Sequence, residues 1–139
     1  MATGLEARLI EAEAELQAGN TTEWLGILNQ LRADFDTYGD LLYPVNPLTG
    51  TLAALADPGT TTGREDLHFR ERAFWLYNTN HRLGDMRRLI RQYGRNAESV
   101  FPTGAYFKAG STYGTDVNLP IPQDEENNPN AGQCLDRNP

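Results

Sequence analysis

A chain of 139 residues with 39% hydrophobic residues, a mean hydropathy of −0.57 and a net charge of −7 can bury one modest core and has no surplus of apolar surface. No stretch approaches the ~18 apolar residues of a spanning helix. The opening "MATGLEARLI" lacks the charged-then-apolar layout of a signal peptide. The acidic balance argues against a phosphate-backbone binder, and Cys134, the only cysteine, excludes an intrachain disulfide or a cysteine metal site.

The first apolar positions, Leu5, Leu9, Ala12 and Leu16, have helical spacing, with Ile10 and Ala14 broadening the stripe. Gly19 suits the residue after a helix end. Asn20 with Glu23 then resembles a capping box opening a second helix that carries Trp24, Ile27, Leu28, Leu31 and Phe35. Residues 4–36 are therefore expected to form a helical hairpin. From 37 to 63, Pro44, Pro47, Pro58 and four glycines predict a long connection with one short turn. Thr62 with Glu65 suggests a second capping box, opening a third helix over 63–77, and Asn78 to Asn80 interrupt it. A fourth helix over 81–93 presents Leu83, Met86, Leu89, Ile90 and Tyr93, and Gly94 stops it. Residues 95–139 hold five of the eight prolines and no helical period. They read as an ordered loop pinned by Phe101, Tyr106, Phe107, Tyr113, Leu119 and Ile121, with 117–121 extended; a disordered tail is the rival for 124–139. The expected class is all-α: a hairpin, a further helix pair over 63–94 and a long Pro/Gly-rich, loop-dominated C-terminal segment, in one domain spanning 1–139.

Charge is unevenly placed. Residues 64–95 hold eight of the twelve basic side chains and four acids, a local +4 that leaves the rest of the chain at −11. Asp85 lies three residues from both Arg82 and Arg88, close enough to pair along a helix. Arginine's planar fork also suits it to holding carboxylates and carbonyls within packed structure. The stripe is thus expected to be scaffold, with nucleic-acid binding the weaker reading, and Phe74 and Trp75 are expected in the core.

No catalytic or metal constellation emerges. His68 and His81, the only histidines, have no third ligand at metal spacing, and Ser99 and Ser111 lie in no nucleophile elbow. "PQDEENNP" reads as a solvated acidic turn, and "GSTYGTD" lacks the spacing and the lysine of a phosphate-binding loop. No cofactor is implied. Tyr43, Tyr106, Phe107 and Tyr113 lie among loop glycines, where rings either anchor the loop or stack on the C–H faces of sugars.

Two stretches resemble a known family. "FRERAFWLYNTNHRLGDMRRLIRQYGR" and "FPTGAYFKAGSTYGTDVNLPIPQDEENNPN" are similar to the C-terminal region of SusD/RagB proteins, the nutrient-binding lipoproteins of outer-membrane glycan uptake. The residues carrying the likeness are the "RERAFWL" and "HRLGDMRR" helices and the closing "NLPIPQDEENNPN". "AEAELQAGNTTEWLGILNQLRA" also looks like the family's tetratricopeptide-type hairpin. The resemblance implies a non-enzymatic protein that holds an oligosaccharide or other nutrient outside the outer membrane and passes it to a TonB-dependent, SusC-like transporter. Arg72, His81, Arg82, Asp85, Arg87 and Arg88 match the recurring helix motif and take a structural role; no ligand-contacting residue is carried over. Only the final part of the family is covered, and the chain as written shows neither a signal peptide nor a lipidation cysteine. Because about three repeats normally make a stable stack, a fragment, or a remnant or interaction module without its own ligand, is the alternative expectation.

Overall fold

The computed structural model describes residues 3–42, 50–115, 117–119, 124 and 127–130. Among these the protein is mainly helical and contains no strand, only an isolated antiparallel bridge between Ala105 and Thr112. The helices are α1 (Gly4–Ala18), α2 (Thr21–Ala33), α3 (Phe35–Leu42), α4 (Thr61–Trp75), α5 (Arg82–Arg91) and α6 (Ala97–Val100). They fall into two compact units, Met1–Tyr77 and Asn78–Pro139.

In the first unit, α1 is a run of strong helix formers whose N-cap, Thr3, accepts a hydrogen bond from the Glu6 backbone N–H through its hydroxyl. Gly19 ends it in the left-handed region at φ 80°, and the Gly19 and Asn20 N–H groups close back onto Leu16 and Glu15 carbonyls. This two-residue connection lets α2 pack on α1. The expected capping box at Asn20 does not form. The Asn20 amide instead donates to Glu15 at 2.7 Å, reaching back to the preceding helix rather than forward into α2.

Leu5, Leu9 and Ala12 from α1, Trp24, Leu28 and Leu31 from α2, Phe35, and Leu67, Trp75 and Leu76 from the α4 region form one buried cluster. At about 1.5–3 kcal/mol per large apolar side chain, this cluster is the main stabilising term of the unit. Two residues of the expected α1 stripe face solvent: Ile10 is 55% exposed and Ala14 is exposed. Buried Glu13 takes the place between Ala12 and Leu16, because α4 covers that flank and presents His68 to it.

Residues 35–42, assigned in part to a connection, are the helix α3, set off from α2 by Asp34. Gly39 does not break it, and Pro44 lies beyond its end. Residues 50–59 run along α2 instead of forming secondary structure of their own. The Asn29 side chain pairs with both the N–H and the carbonyl of Leu55 (2.7 and 3.2 Å), as a neighbouring strand would, and Leu52 N–H donates to the Arg32 carbonyl. Helix α4 starts before the expected capping box. Thr60, not Thr62, is the N-cap and accepts from Gly63 N–H at 3.1 Å.

In the second unit, Asn78 and Asn80 adopt φ values of 61° and 66°, conformations that asparagine tolerates better than most residues, and they separate α4 from α5 as expected. Gly94 at φ 65° stops the chain after α5, with Arg95 N–H closing onto the Leu89 carbonyl. Helix α6, one turn capped by the Asn96 side chain, interrupts the segment read as loop. The expected extended run over 117–121 shows no strand at 117–119, and the rest of it lies outside the described residues.

Candidate functional site

The residues proposed from the sequence separate into three places. Tyr43 lies outside the described residues. The arginine motif divides between the units: Arg72 is buried on α4, whereas His81, Arg82, Asp85, Arg87 and Arg88 lie at the start of α5 and along it. Tyr106 and Tyr113 are brought together.

The α5 motif is locally paired. Asp85, buried, takes an ion pair from Arg88 at 3.1 Å, and Arg88 also reaches Gln92. His81 Nδ1 lies 2.7 Å from the Thr79 hydroxyl. Arg82 is exposed, so of the two arginines spaced to meet Asp85 it is Arg88 whose ion pair is formed.

An inter-helix clamp in the first unit comes from an arginine outside the basic stripe. Arg32 on α2 places Nη1 3.0 Å from both carboxylate oxygens of Glu71 on α4, and its Nε donates to the Ala53 carbonyl at 2.7 Å. Next to it lies a buried polar group that the sequence did not signal. Trp24 Nε1 donates to His68 Nδ1 at 3.3 Å, which leaves the ring proton on Nε2, and Nε2 sits 3.6 Å from a Glu13 carboxylate oxygen. Inside the core, Nδ1 of His68 thus accepts a hydrogen bond from α2, while Nε2 faces the α1 carboxylate just beyond hydrogen-bond distance. Among the described residues no group of three or more histidine, cysteine, aspartate and glutamate side chains is placed to hold a metal.

Residues 104–113 form the feature most suited to a ligand. Tyr106 N–H donates to the Ser111 carbonyl and Tyr113 N–H to the Gly104 carbonyl, each at 2.9 Å, flanking the Ala105–Thr112 bridge. The reversal is closed by Ser111 N–H on the Lys108 carbonyl, with Gly110 at φ 84°, the positive value that the third residue of a type II turn requires. In this pairing Tyr106 faces Ser111 and Tyr113 faces Gly104, so the two tyrosines are diagonal neighbours on one face. Their rings meet edge to face at 5.2 Å, and Phe107 packs beside Tyr106 at 4.3 Å.

Two of these three rings are exposed. Phe107 is 78% exposed, Tyr113 is 40% exposed, and Leu119, also expected to pin the loop, is 75% exposed. Tyr106 is half-buried and joins the other two rings. Three aromatic faces held by a hydrogen-bonded turn present an apolar surface with hydroxyls on two of its rings, which suits a ligand with C–H faces and hydroxyl edges. The sequence signal for this arrangement was the "AYFKAGSTY" alternation around a glycine turn, a hairpin pattern too short to stand out from loop. Comparison with family models, with curated proteins and with solved structures yields no match, so the functional argument rests on this chain's own residues.

Proposed function

We propose that this chain is a SusD-like nutrient-binding component of an outer-membrane uptake system, one that holds an oligosaccharide and presents it to a TonB-dependent, SusC-like transporter without acting on it chemically. The observation that carries the reading is the Tyr106–Phe107–Tyr113 cluster, with Phe107 and Tyr113 exposed, on a turn with its own hydrogen bonds. Such a group of rings has little structural use when left in water, and gains by stacking on a sugar. The resemblance of the α4–α5 and C-terminal sequences to SusD/RagB proteins supports the same reading. On it, α1 and α2 are a tetratricopeptide-type hairpin, and the segment after α5 is the family's long Pro/Gly-rich closing segment. The place of action is the outward face of the outer membrane; no helix among the described residues is long and apolar enough to cross a bilayer. Calorimetry of the chain against a panel of oligosaccharides tests the proposal. Binding of at least one sugar that is lost in Tyr106→Ala/Phe107→Ala supports it, and silence across the panel contradicts it.

A second reading, a helical interaction module with no ligand of its own, is favoured by Phe74, expected in the core, and Tyr77, which are exposed at and just beyond the end of α4 although Phe74 stacks on Phe35 and meets Trp75 edge to face. Under it, the purified chain self-associates or recruits a helical partner, and Phe74→Ser/Tyr77→Ser abolishes the association while any sugar response is absent from the start.

A further inference from the structure

Lys108 is the only lysine in the sequence; the other eleven basic side chains are arginines. It sits in the turn of the aromatic loop, exposed, with Nζ 6.0 Å from the centre of the Phe107 ring. Between Glu98 and Asp116 it is also the sole charged residue. The loop therefore carries one cation beside three clustered rings, in a chain whose overall charge is −7.

Chemistry separates this arrangement from a neutral sugar site. A neutral oligosaccharide needs ring faces and hydrogen-bonding partners of both kinds, whereas an ammonium offers donors alone and a full positive charge. Its natural complement is a carboxylate on the rim of a sugar whose C–H face lies on the rings. Lysine suits this role better than arginine where the carboxylate position varies, since it acts as a point charge on a flexible stem rather than a fixed fork. The negative charge of the chain as a whole is spread over other segments, since residues 99–115 hold no other charged side chain, and exposed charges further than about 8 Å away are largely screened at physiological salt.

We infer that the loop prefers acidic oligosaccharides, with a uronic acid residue stacked on the Tyr106, Phe107 and Tyr113 rings and its carboxylate paired with Lys108 Nζ. This inference rests on the carbohydrate reading above and narrows it to a substrate class.

The test uses the full chain and matched probes: galacturonate, glucuronate and mannuronate oligomers, each beside its carboxyl-methylated counterpart, which keeps the sugar ring and removes the charge. At least one acidic oligomer is expected to bind about threefold to fivefold more tightly than its methyl ester, the range of a solvent-exposed ion pair, with the advantage shrinking as salt rises. Lys108→Gln should erase that difference and leave the affinity for the ester unchanged, while Phe107→Ala weakens both. Because Lys108 is the only lysine, its acetylation by an amine-reactive reagent, read on the peptide that contains it, should slow when the acidic oligomer is bound and not when the ester is added at the same concentration. Equal affinities for acid and ester, or a preference that survives Lys108→Gln, overturn the inference and leave carbohydrate binding standing. No binding of any acidic, esterified or neutral oligosaccharide overturns both.

Discussion

Glu71 receives both hydrogen bonds from a single Arg32 nitrogen while itself buried, so removing its carboxylate strands a guanidinium that is only partly open to water. Glu71→Ala is expected to cost about 2–3 kcal/mol in urea unfolding, less than a fully buried pair because Arg32 is partly open to water, and the double variant Arg32→Met/Glu71→Met to recover most of it. Equal loss in single and double variants would show that the pair is not the source. Trp24→Phe removes the indole donor to His68 and leaves a small void in the core, at an expected cost of about 2–4 kcal/mol. Little of this was legible in the sequence. The basic stripe announced arginine clamps, but the residue bridging α2 and α4 lies outside it, and its partner is 39 positions away. Trp24 and His68 are 44 positions apart, and no local pattern links an indole to an imidazole over that distance. Within α5, where partners are three residues apart, the Asp85–Arg88 pair could be read directly.

At the scale of elements, helical periodicity located α1, α2, α4 and α5 because each must bury one stripe, and Gly19 and Gly94 marked stops since both take positive φ. Boundaries failed where two caps competed. Thr60 wins over Thr62 at α4 because the helix must start close against Pro58, and Gly63 makes that approach possible: a Cβ there would lie 2.8 Å from Pro58 Cβ. Gly63→Ala should therefore lower the melting temperature, although alanine at an open helix position would raise it by stabilising the helix by about 0.5–1 kcal/mol. A rise on scanning calorimetry would mean the contact relaxes freely. Helix α3 was missed because Gly39 and Pro44 both read as breakers, whereas the helix runs through the first and ends before the second. The aromatic loop was visible as individual rings and not as a cluster, since the diagonal pairing of Tyr106 with Tyr113 depends on a register set by the Gly110 turn.

For the molecule as a whole, one ionic contact gives a signed dependence on pH. Asp57 is held by the Arg64 guanidinium at 2.7 and 2.8 Å and by the Gly59 N–H, and its carboxyl is lowered from its ordinary 3.8 to about 2. The unfolded chain takes up this proton first as pH falls, so the contribution is complete above the ordinary value and is lost as pH drops through about 2. Because the pair is exposed, the effect is small. Unfolding midpoints of the parent chain should fall more between pH 4 and pH 2 than those of Asp57→Asn, and parallel curves would contradict the assignment.

The measurement that bears most directly on the account is a titration of the chain with oligosaccharides followed by the aromatic side-chain resonances. Binding is expected to shift the signals of Tyr106, Phe107 and Tyr113 together and saturably, while Trp24 and Trp75, buried in the other unit, stay where they are. Sugar binding that leaves these three rings unmoved, or no binding by any oligosaccharide, would contradict it.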